Sequence, residues 1–356
     1  LDAVAGIATC SLGHSHKSLK RVLTKQLSKI QHISNLYEIP EQEELAKWIT
    51  KNSCFSSVFF CNSGAEANEA AIKLARKYGQ QHRGINRPII LSAKESFHGR
   101  TLAALSATGQ EKYHKGFEPL VDGFDFFEFN NINSFRCKFK ELERNAPKVA
   151  AVLIEPLQGE GGVNLPDQSF FKELRHICSK NEVLLIFDEV QTGMGRTGTL
   201  WGYEQTNIEP DAFTLAKGLG GGHAIGALAI KDHADVFIPG DHASTFGGNP
   251  FACKAGITVG EEIIRKNLLK NVINQGSYLN QGLTDIVDLF PNEFKEVRGM
   301  GLIQGLVIKE SSDLIALDIV KAALKEKLLL VAAGSKVVRM VPPLIINRNE
   351  IKEIIK

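Results

Sequence analysis

The sequence predicts an α/β fold in which a large lobe holds a mostly parallel sheet with helices on both faces, beside a smaller α+β lobe. From about Phe55 onward, continuous apolar runs alternate with helix-like segments, a pattern typical of strands buried on both faces. After about Pro250 the pattern changes to long helical stretches with a few strand-like runs. The chain has 356 residues, which is enough for two lobes with a large core.

The strands of the large lobe are predicted from short apolar runs bounded by polar or glycine-rich segments. Such folds bind ligands at the carboxyl ends of their strands, so the segments that follow these runs are where a functional site is expected. The runs are SVFFCNS, which leads into the helical GAEANEAAIKLARKYG, and then RPIILSA, VAAVLIEP, VLLIFDE, DAFTLA and GALAIK.

The smaller lobe is predicted from the last third of the chain. A long helical stretch reaches about Leu289 and is followed by GLIQGLVI, a helix near Asp313 to Lys327, the runs LLLVAA and VVRMV, and a final helix. We therefore expect a large domain over residues 37–250, and a small domain formed by residues 1–36 together with 251–356.

A helix is also predicted near Glu41 to Lys51. Leu45, Trp48 and Ile49 share one face of it, which suits packing on the large lobe.

Composition narrows the function. The net charge of +2, with basic residues spread along the chain, gives no reason to expect binding to nucleic acid or to an acidic membrane. The longest apolar runs are too short to span a bilayer.

Six scattered cysteines without a CxxC pair predict reduced thiols in a cytoplasmic protein, and no signal peptide is recognisable. Because the sequence lacks an initiator Met and begins in the strand-like LDAVAGIA, we expect its natural N-terminal segment to be missing.

Lys217 raises the first chemical question. It follows the apolar FTLA, and glycine occupies four of the next five positions. One interpretation is a surface lysine before a loose turn. The other is a lysine that reacts covalently beside a bulky, flat ligand.

The segment FCNSGAEANEAAIK predicts a helix start directly after a strand. Asn62 or Ser63 suits the N-cap, and Ser63 with Glu66 fits a capping box. Gly64 lets a ligand approach the free N–H groups, which makes this a candidate phosphate cradle. An ordinary capped helix explains the same residues.

Three further segments supply candidate polar groups. Asp188 ends the apolar VLLIFD, where a buried carboxylate needs a cation or donors, such as a protonated ring nitrogen; capping the next turn is the alternative. After IILSA, Phe97 could stack on a flat ring and Arg100 could bind a carboxylate, although a core aromatic and a surface arginine fit equally. In ASTFGGNP, Ser244 and Thr245 are hydroxyl donors for an anion or part of a polar loop.

Other motifs fail. Neither GLGGGH nor GEGGVN completes the dinucleotide-binding glycine pattern, and no P-loop occurs. His14 and His16 lack an evident third ligand, so we predict a helix start there and no metal site.

Taken together, the segments resemble the class III (ornithine/acetylornithine-type) aminotransferases, which use pyridoxal 5'-phosphate on the type I fold. The resemblance implies a mostly parallel seven-stranded sheet in the large domain, and a homodimer. It covers nearly the whole chain, in the family's order and spacing. The segments are GHSH, SNLY, NSGAEANEAAIKLAR, FHGRT, IEPLQGEGGV, DEVQTGMGRTG, LAKGLGGG, STFGGNP and RMVPPL.

The resemblance implies roles at matching positions. Lys217 would bind the cofactor aldehyde and later carry a proton, and Asp188 would hold the ring nitrogen protonated. Gln191 would bond the ring hydroxyl, with Phe97 and Val190 on the two faces of the ring. The phosphate would lie on the helix start. The remaining cofactor-binding residues so implied are Ser63, Gly64, Ala65, His98 and, from the neighbouring subunit, Thr245.

The resemblance also implies how substrates bind. Arg339 would take the α-carboxylate of glutamate, Glu160 would act as its gate, and Arg100 would hold the other carboxylate. Within the family, SNLY, NSGAEANEAA and HASTFGGNPFAC are most similar to the acetylornithine-specific members. The implied reaction moves the ω-amino group of N-acetylornithine to 2-oxoglutarate, giving N-acetylglutamate semialdehyde and glutamate, in arginine biosynthesis.

Alternatives remain open. The donor could be succinylornithine, ornithine, 4-aminobutyrate or acetyl-lysine, and the same fold also hosts mutases, decarboxylases and non-catalytic relatives. Three positions depart from the family's pattern. Ile7 stands where ornithine-specific relatives carry tyrosine, Glu38 follows SNLY, and Ala224 replaces a proline.

Overall fold

The larger of two sheets has seven strands in the order β1-β7-β6-β5-β4-β2-β3. The computed structural model describes all residues, 1–356. Strand β7 runs antiparallel to both of its neighbours, and the pairs β6–β5, β5–β4, β4–β2 and β2–β3 are parallel. The predicted mostly parallel sheet is thus confirmed. The strands are β1 (Ser57–Cys61), β2 (Ile89–Ala93), β3 (Phe124–Phe127), β4 (Val149–Ile154), β5 (Leu184–Asp188), β6 (Ala212–Leu215) and β7 (Gly226–Ile230).

Six of these strands lie within the predicted apolar runs, and β3 was not predicted. Its sequence, FDFF, lies at an edge of the sheet, and only Phe127 is fully buried. An edge strand is paired on one side only, so it does not need the continuous apolar run that marked the central strands.

Helices cover both faces of this sheet. The helix α4 lies close to the strands because the residues that it buries are small, among them Ala67, Ala71 and Ala75. At Gly79 a Cβ atom would lie 2.6 Å from the Cβ of Ala150 on β4, so this approach requires glycine. The helices up to β5 are α1 (Ala5–Ala8), α2 (Lys17–Leu27), α3 (Pro40–Lys51), α4 (Gly64–Arg83), α5 (Leu102–Ala107), α6 (Glu111–His114), α7 (Ile132–Glu143) and α8 (Gln168–Lys180).

The second sheet is antiparallel, with the order β10-β11-β9-β8. Its edge strand β8 was not predicted, because charged residues interrupt its sequence, FKEVRGM. The run LLLVAA contributes only the two residues of β10. The strands are β8 (Phe294–Met300), β9 (Ile303–Ile308), β10 (Val331–Ala332) and β11 (Val337–Met340).

The long helical stretch after Pro250 is two helices rather than one. Asn267 has a left-handed backbone, with φ of 51°, and interrupts the predicted continuous helix. Asparagine adopts this conformation more readily than most residues. The later helices are α9 (Pro250–Arg265), α10 (Leu268–Leu289), α11 (Ala316–Lys325) and α12 (Arg348–Ile355), and short 3-10 turns lie at Gly202–Thr206, Lys217–Gly220 and Asp232–Ala234.

The first residues of the chain pack beside the second sheet. Ala3 donates its N–H to the carbonyl of Leu329, and its own carbonyl accepts from Val341. In α1 all four residues have left-handed φ values between 50° and 64°. Such a turn costs roughly 1–2 kcal/mol per non-glycine residue. Asp2 stabilises it, because its Oδ1 accepts from the N–H groups of Val4 and Ala5, both at 2.8 Å.

The helix α2 begins directly after His16, where a helix start was predicted. The His16 side chain makes no capping hydrogen bond. Leu19 and Leu23 of α2 pack against Ala255 of α9.

The helix α3 buries Leu45 and Ile49 as predicted, but its main neighbour is α9. A Cβ atom at Gly260 of α9 would lie 2.4 Å from the Trp48 ring, and one at Gly256 would lie 2.9 Å from a methyl group of Leu45. Because α9 also packs against the turn after Lys217, through Val259 and Gly221, it connects α3 with the turn that follows β6. The domain boundaries at residues 37 and 250 stay a prediction.

One buried arginine joins the two sheets. Arg196 follows β5, and its Nη1 donates to the carbonyls of Leu302 at 2.8 Å and Pro342 at 2.6 Å. No helix of the chain is long and apolar enough to cross a bilayer.

Candidate active site

A cavity of about 470 Å³ lies at the carboxyl ends of the central strands of the large sheet. This is the edge at which ligand binding was expected. Ten of the thirteen predicted site residues line it: Ser63, Gly64, Ala65, Phe97, His98, Arg100, Asp188, Val190, Gln191 and Lys217.

Asp188 ends β5 and is 4% exposed. Its Oδ2 accepts hydrogen bonds from Asn68 Nδ2 and His98 Nδ1, both at 2.8 Å. Its Oδ1 accepts from the N–H of Val190 at 3.0 Å and from the Thr214 hydroxyl at 3.4 Å. Two N–H donors, a histidine and the more distant Thr214 hydroxyl therefore compensate the burial of this carboxylate, which faces the cavity.

Lys217 follows β6 and opens the 3-10 turn Lys217–Gly220. Its backbone has a φ of 38°, a strained conformation for a residue with a side chain. Burial, reinforced by the positive charge of Arg339, lowers the pKa of the Lys217 ammonium to about 8. A lysine with a lowered pKa supplies a neutral amine near neutral pH, as a nucleophile or a base requires.

The start of α4 forms one wall of the cavity. Ser63 is the N-cap, and its Oγ accepts from the N–H of Glu66 at 3.2 Å. The predicted capping box is only half formed, because the Glu66 carboxylate accepts from the N–H of Asn62 at 2.6 Å instead of from Ser63. The first N–H groups of the helix have no partner within it and can bind an anion. Gly64 is required by packing too, since a Cβ there would lie 2.7 Å from Val190 Cγ1.

Phe97 and Arg100 lie on another wall. The Phe97 ring packs edge-on against Tyr113, at a centroid distance of 5.7 Å. The Arg100 guanidinium lies over the Tyr113 ring at 4.1 Å and over Phe97 at 5.5 Å. Arg100 is exposed and forms no salt bridge, so its charge is available to a ligand.

Arg339 and Glu160 lie next to the cavity. Arg339 is on β11 and is fully buried. Its Nη2 donates to Glu160 Oε2 at 2.9 Å, and its Nη1 donates to Gln191 Oε1 at 3.0 Å. The second sheet thus provides a cation whose only ionic partner is Glu160, in the loop after β4.

Thr245 does not line this cavity. It is exposed in the loop before α9, where Asn35 donates to the neighbouring carbonyls of Ser244 and Gly247, both at 2.9 Å. Of the positions that depart from the family's pattern, Ala224 lines the cavity, while Ile7 and Glu38 are exposed.

Among the cavity residues that were missed from the sequence, two buried polar side chains stand closest to the predicted groups. Asn68 is buried on α4, and it donates to the carbonyl of His98 at 2.6 Å as well as to Asp188. Glu155 follows β4 and also lines the cavity. The signals were an asparagine within the alanine-rich face of a helix, and a glutamate at the carboxyl end of its strand, the end at which Asp188 also lies on β5.

The family is shown by sequence comparison. The model of the aminotransferase class-III family matches residues 1–356. The acetylornithine aminotransferase of Prochlorococcus marinus is 66% identical over 355 residues, which span 100% of this chain and 85% of the relative. The acetylornithine aminotransferase of a Nostoc species is 56% identical over 356 residues, 100% of this chain and 83% of the relative.

Solved structures of aminotransferases resemble the fold of this chain. The ornithine aminotransferase from Toxoplasma gondii superposes with a TM-score of 0.93 at 28% identity, covering 99% of this chain and 83% of that one. The N-acetylornithine aminotransferase from Stenotrophomonas maltophilia gives a TM-score of 0.85 at 35% identity, covering 100% and 88%. The expected type I fold is confirmed.

The residues around the cavity fit pyridoxal 5'-phosphate. The start of α4 suits a phosphate, and Gly64 keeps that start open. The buried Asp188 suits a protonated ring nitrogen, and Lys217 supplies the amine that an aldehyde requires. This fit and the match over the whole chain lead to one conclusion: the chain belongs to the class III aminotransferases, which are pyridoxal phosphate-dependent enzymes.

Proposed function

We propose that the enzyme transfers the ω-amino group of N-acetylornithine to 2-oxoglutarate, producing N-acetylglutamate semialdehyde and glutamate, as a step of arginine biosynthesis. The Glu160–Arg339 pair beside the Lys217 cavity is the observation that carries this proposal. An ω-amino donor has only CH₂ beside its reacting amine, so it needs a site in which the arginine is neutralised. The names of the relatives support acetylornithine as the donor.

Lys217 has two tasks in this proposal. It would hold the cofactor through a covalent bond to its Nζ, and when that amine is free it would take up and return the proton that moves between substrate and cofactor carbons. The pKa of about 8 lets Nζ be neutral when it takes the proton. Pyridoxal phosphate, when bound, supplies an aldehyde for the amine and a ring that accepts electrons.

Asp188 keeps the ring nitrogen protonated, and its four hydrogen bonds fix the carboxylate in place. Ser63, Gly64 and Ala65 would bind the phosphate, and Phe97 and Val190 would pack against the ring. Gln191 uses its Oε1 for Arg339, so its Nε2 is the group left for the ring hydroxyl. His98 acts through Asp188, to which its Nδ1 is bonded.

Arg339 lets one site accept two unlike substrates. With the donor bound, Glu160 neutralises it, because an unpaired buried cation is costly. With glutamate bound, Glu160 moves away and the guanidinium binds the α-carboxylate in a bidentate contact. Arg100 holds the other carboxylate in both half-reactions.

The donor assignment is tested with a panel of amines, scored by the glutamate formed from 2-oxoglutarate. We expect kcat/KM for N-acetylornithine to exceed those for ornithine, 4-aminobutyrate and acetyl-lysine by at least about tenfold, which corresponds to ~1.4 kcal/mol of transition-state binding. Succinylornithine is the informative neighbour, since it differs only in the acyl group. A higher kcat/KM for any of these amines than for N-acetylornithine would reassign the donor.

Asp188→Asn should lower kcat by two or more powers of ten, because the loss of an ion pair worth ~3 kcal/mol leaves the ring nitrogen without its anion. The cofactor should still bind, which its visible absorbance reports. Thr214→Val is the matched control, because it keeps the Asp188 charge while it removes the hydroxyl that bonds Asn68 Oδ1 at 2.8 Å and lies 3.4 Å from Asp188 Oδ1, and it should cost less than about tenfold. Near-normal turnover in Asp188→Asn would refute the role.

Arg339→Lys should slow the glutamate half-reaction strongly and largely spare the donor half-reaction, because lysine cannot form the bidentate contact. Single-turnover absorbance changes measure the two half-reactions separately. Glu160→Ala should leave Arg339 unpaired and weaken discrimination against α-amino donors. Equal losses in both half-reactions of Arg339→Lys would mean that the pair is only structural.

We also propose that the enzyme is a homodimer in which Thr245 binds the phosphate in the partner's site. Thr245 is exposed and lies outside the cavity of its own chain. Large apolar side chains flank its loop, with Leu36 88% and Phe246 61% exposed. An exposed apolar cluster beside a functional loop is typical of an interface, and homodimer interfaces are usually two-fold.

The dimer is tested by mixing two inactive variants. Lys217→Ala and Thr245→Ala chains, unfolded and refolded together, should form heterodimers with one doubly defective and one intact site. Random pairing predicts recovery of about one quarter of wild-type activity. Each variant refolded alone is the control. If sedimentation shows that the active species is a monomer, the shared site is excluded.

A further inference from the structure

Glu155 is a buried carboxyl group in the cavity that the proposed roles leave unused. It follows β4 and is 6% exposed. Its Oε2 accepts from the N–H of Phe97 at 3.2 Å, while Oε1 makes no hydrogen bond. The Gly159 amide also favours the charged form of Glu155. Glu155 is thus held by one hydrogen bond, from the segment that carries Phe97, and lies near the loop that carries Glu160.

The charged and titratable groups around Glu155 are few. Asp188 and Lys217 face it across the cavity, His98 follows Phe97, and Glu160 lies in the Gly159 loop, paired with Arg339. No salt bridge joins Glu155 to any of these groups. With Asp188 and Glu160 ionised, Lys217 and Arg339 already balance the charge. Arg100 also lines the cavity but is exposed and forms no salt bridge with Glu155, so a third buried carboxylate would have no buried cation as its partner.

Burial, and then the negative charge of Asp188, raise the pKa of the Glu155 carboxyl well above its ordinary range. Two backbone amides and Lys217 oppose this rise, but burial dominates. A raised pKa favours the neutral form of Glu155, which is also the form that the charges around it favour.

We propose that Glu155 is a positioning residue that works as a neutral carboxylic acid: it holds the Phe97 segment in place through its acceptor oxygen and leaves Asp188 as the only anion facing Lys217 within the cavity. A charged Glu155 would stabilise the Lys217 ammonium and make the neutral amine scarcer. A neutral carboxylic acid has the same shape and acceptor oxygen as the carboxylate but does not stabilise the Lys217 ammonium.

Glu155→Gln tests the protonation state, because glutamine keeps the shape and the acceptor oxygen but cannot ionise. In the full chain freed of cofactor, the acetylation of Lys217 by acetic anhydride is followed against pH by peptide mass spectrometry, with exposed Lys20 as the internal reference. We expect the same Lys217 midpoint in Glu155→Gln and wild type, within about half a pH unit. A midpoint lower by about one unit or more would show that Glu155 is charged, and would overturn the proposal.

A second variant tests the positioning role. Glu155→Leu removes the acceptor for the Phe97 N–H, so the holoenzyme should lose cofactor affinity by about tenfold relative to Glu155→Gln, with a weaker visible circular dichroism band of the bound cofactor. Equal affinity and equal spectra for Leu and Gln would contradict the role.

Glu204→Gln is the matched control. Partial desolvation raises the pKa of the Glu204 carboxyl too, although this side chain reaches the surface, and it also accepts a backbone N–H, that of Trp201, outside the cavity. The visible circular dichroism band of the Glu204→Gln holoenzyme should match that of the wild type. The inference rests on the proposed role of Lys217, but the labelling uses no substrate, so a different amino donor would not affect its outcome.

Discussion

Asp188 is a carboxylate at the end of a central strand, and only 4% of its surface is exposed. Because burying a carboxylate is costly, the residues around it must supply hydrogen-bond donors. Asn68 is needed on the inner face of α4, Thr214 on the next strand, and His98 after β2. Their own contacts extend further, since the Asn68 oxygen accepts from Thr214 at 2.8 Å. One anion thus links three strands and a helix at the edge where the cavity opens.

The remaining charges of the site follow from that anion. Arg339 reaches the same region from the second sheet, and its charge and the burial of Lys217 together lower the lysine pKa. Glu160 limits this effect by pairing with Arg339. The site therefore holds a reactive amine near neutral pH through a balance of burial, one cation and the neighbouring carboxyl groups, in which small displacements of Glu160 change the potential at Nζ.

The sequence was most informative where burial is complete. The central strands and the placement of Lys217 and Asp188 at strand ends followed from continuous apolar runs. The strands β3 and β8 lie at sheet edges and include polar residues, so their sequences resemble loops. The cavity residues Asn68 and Glu155 were missed for a different reason. Their significance depends on partners 120 and 58 positions away, and no local pattern marks such contacts.

Arg196 and Arg339 both connect the two sheets, but in different ways. Arg196 bonds only backbone carbonyls of the second sheet region, so no substrate competes for its contacts. Arg339 bonds Gln191 and Glu160, which lie in the segments that follow β5 and β4 of the large sheet, and the proposed gate would exchange the second of these partners for a substrate carboxylate. The stiffness of the connection between the lobes would then vary with the substrate in the site. The connection between the lobes would then be firmer in one half-reaction and looser in the other. The contacts of Arg196 would stay the same in both.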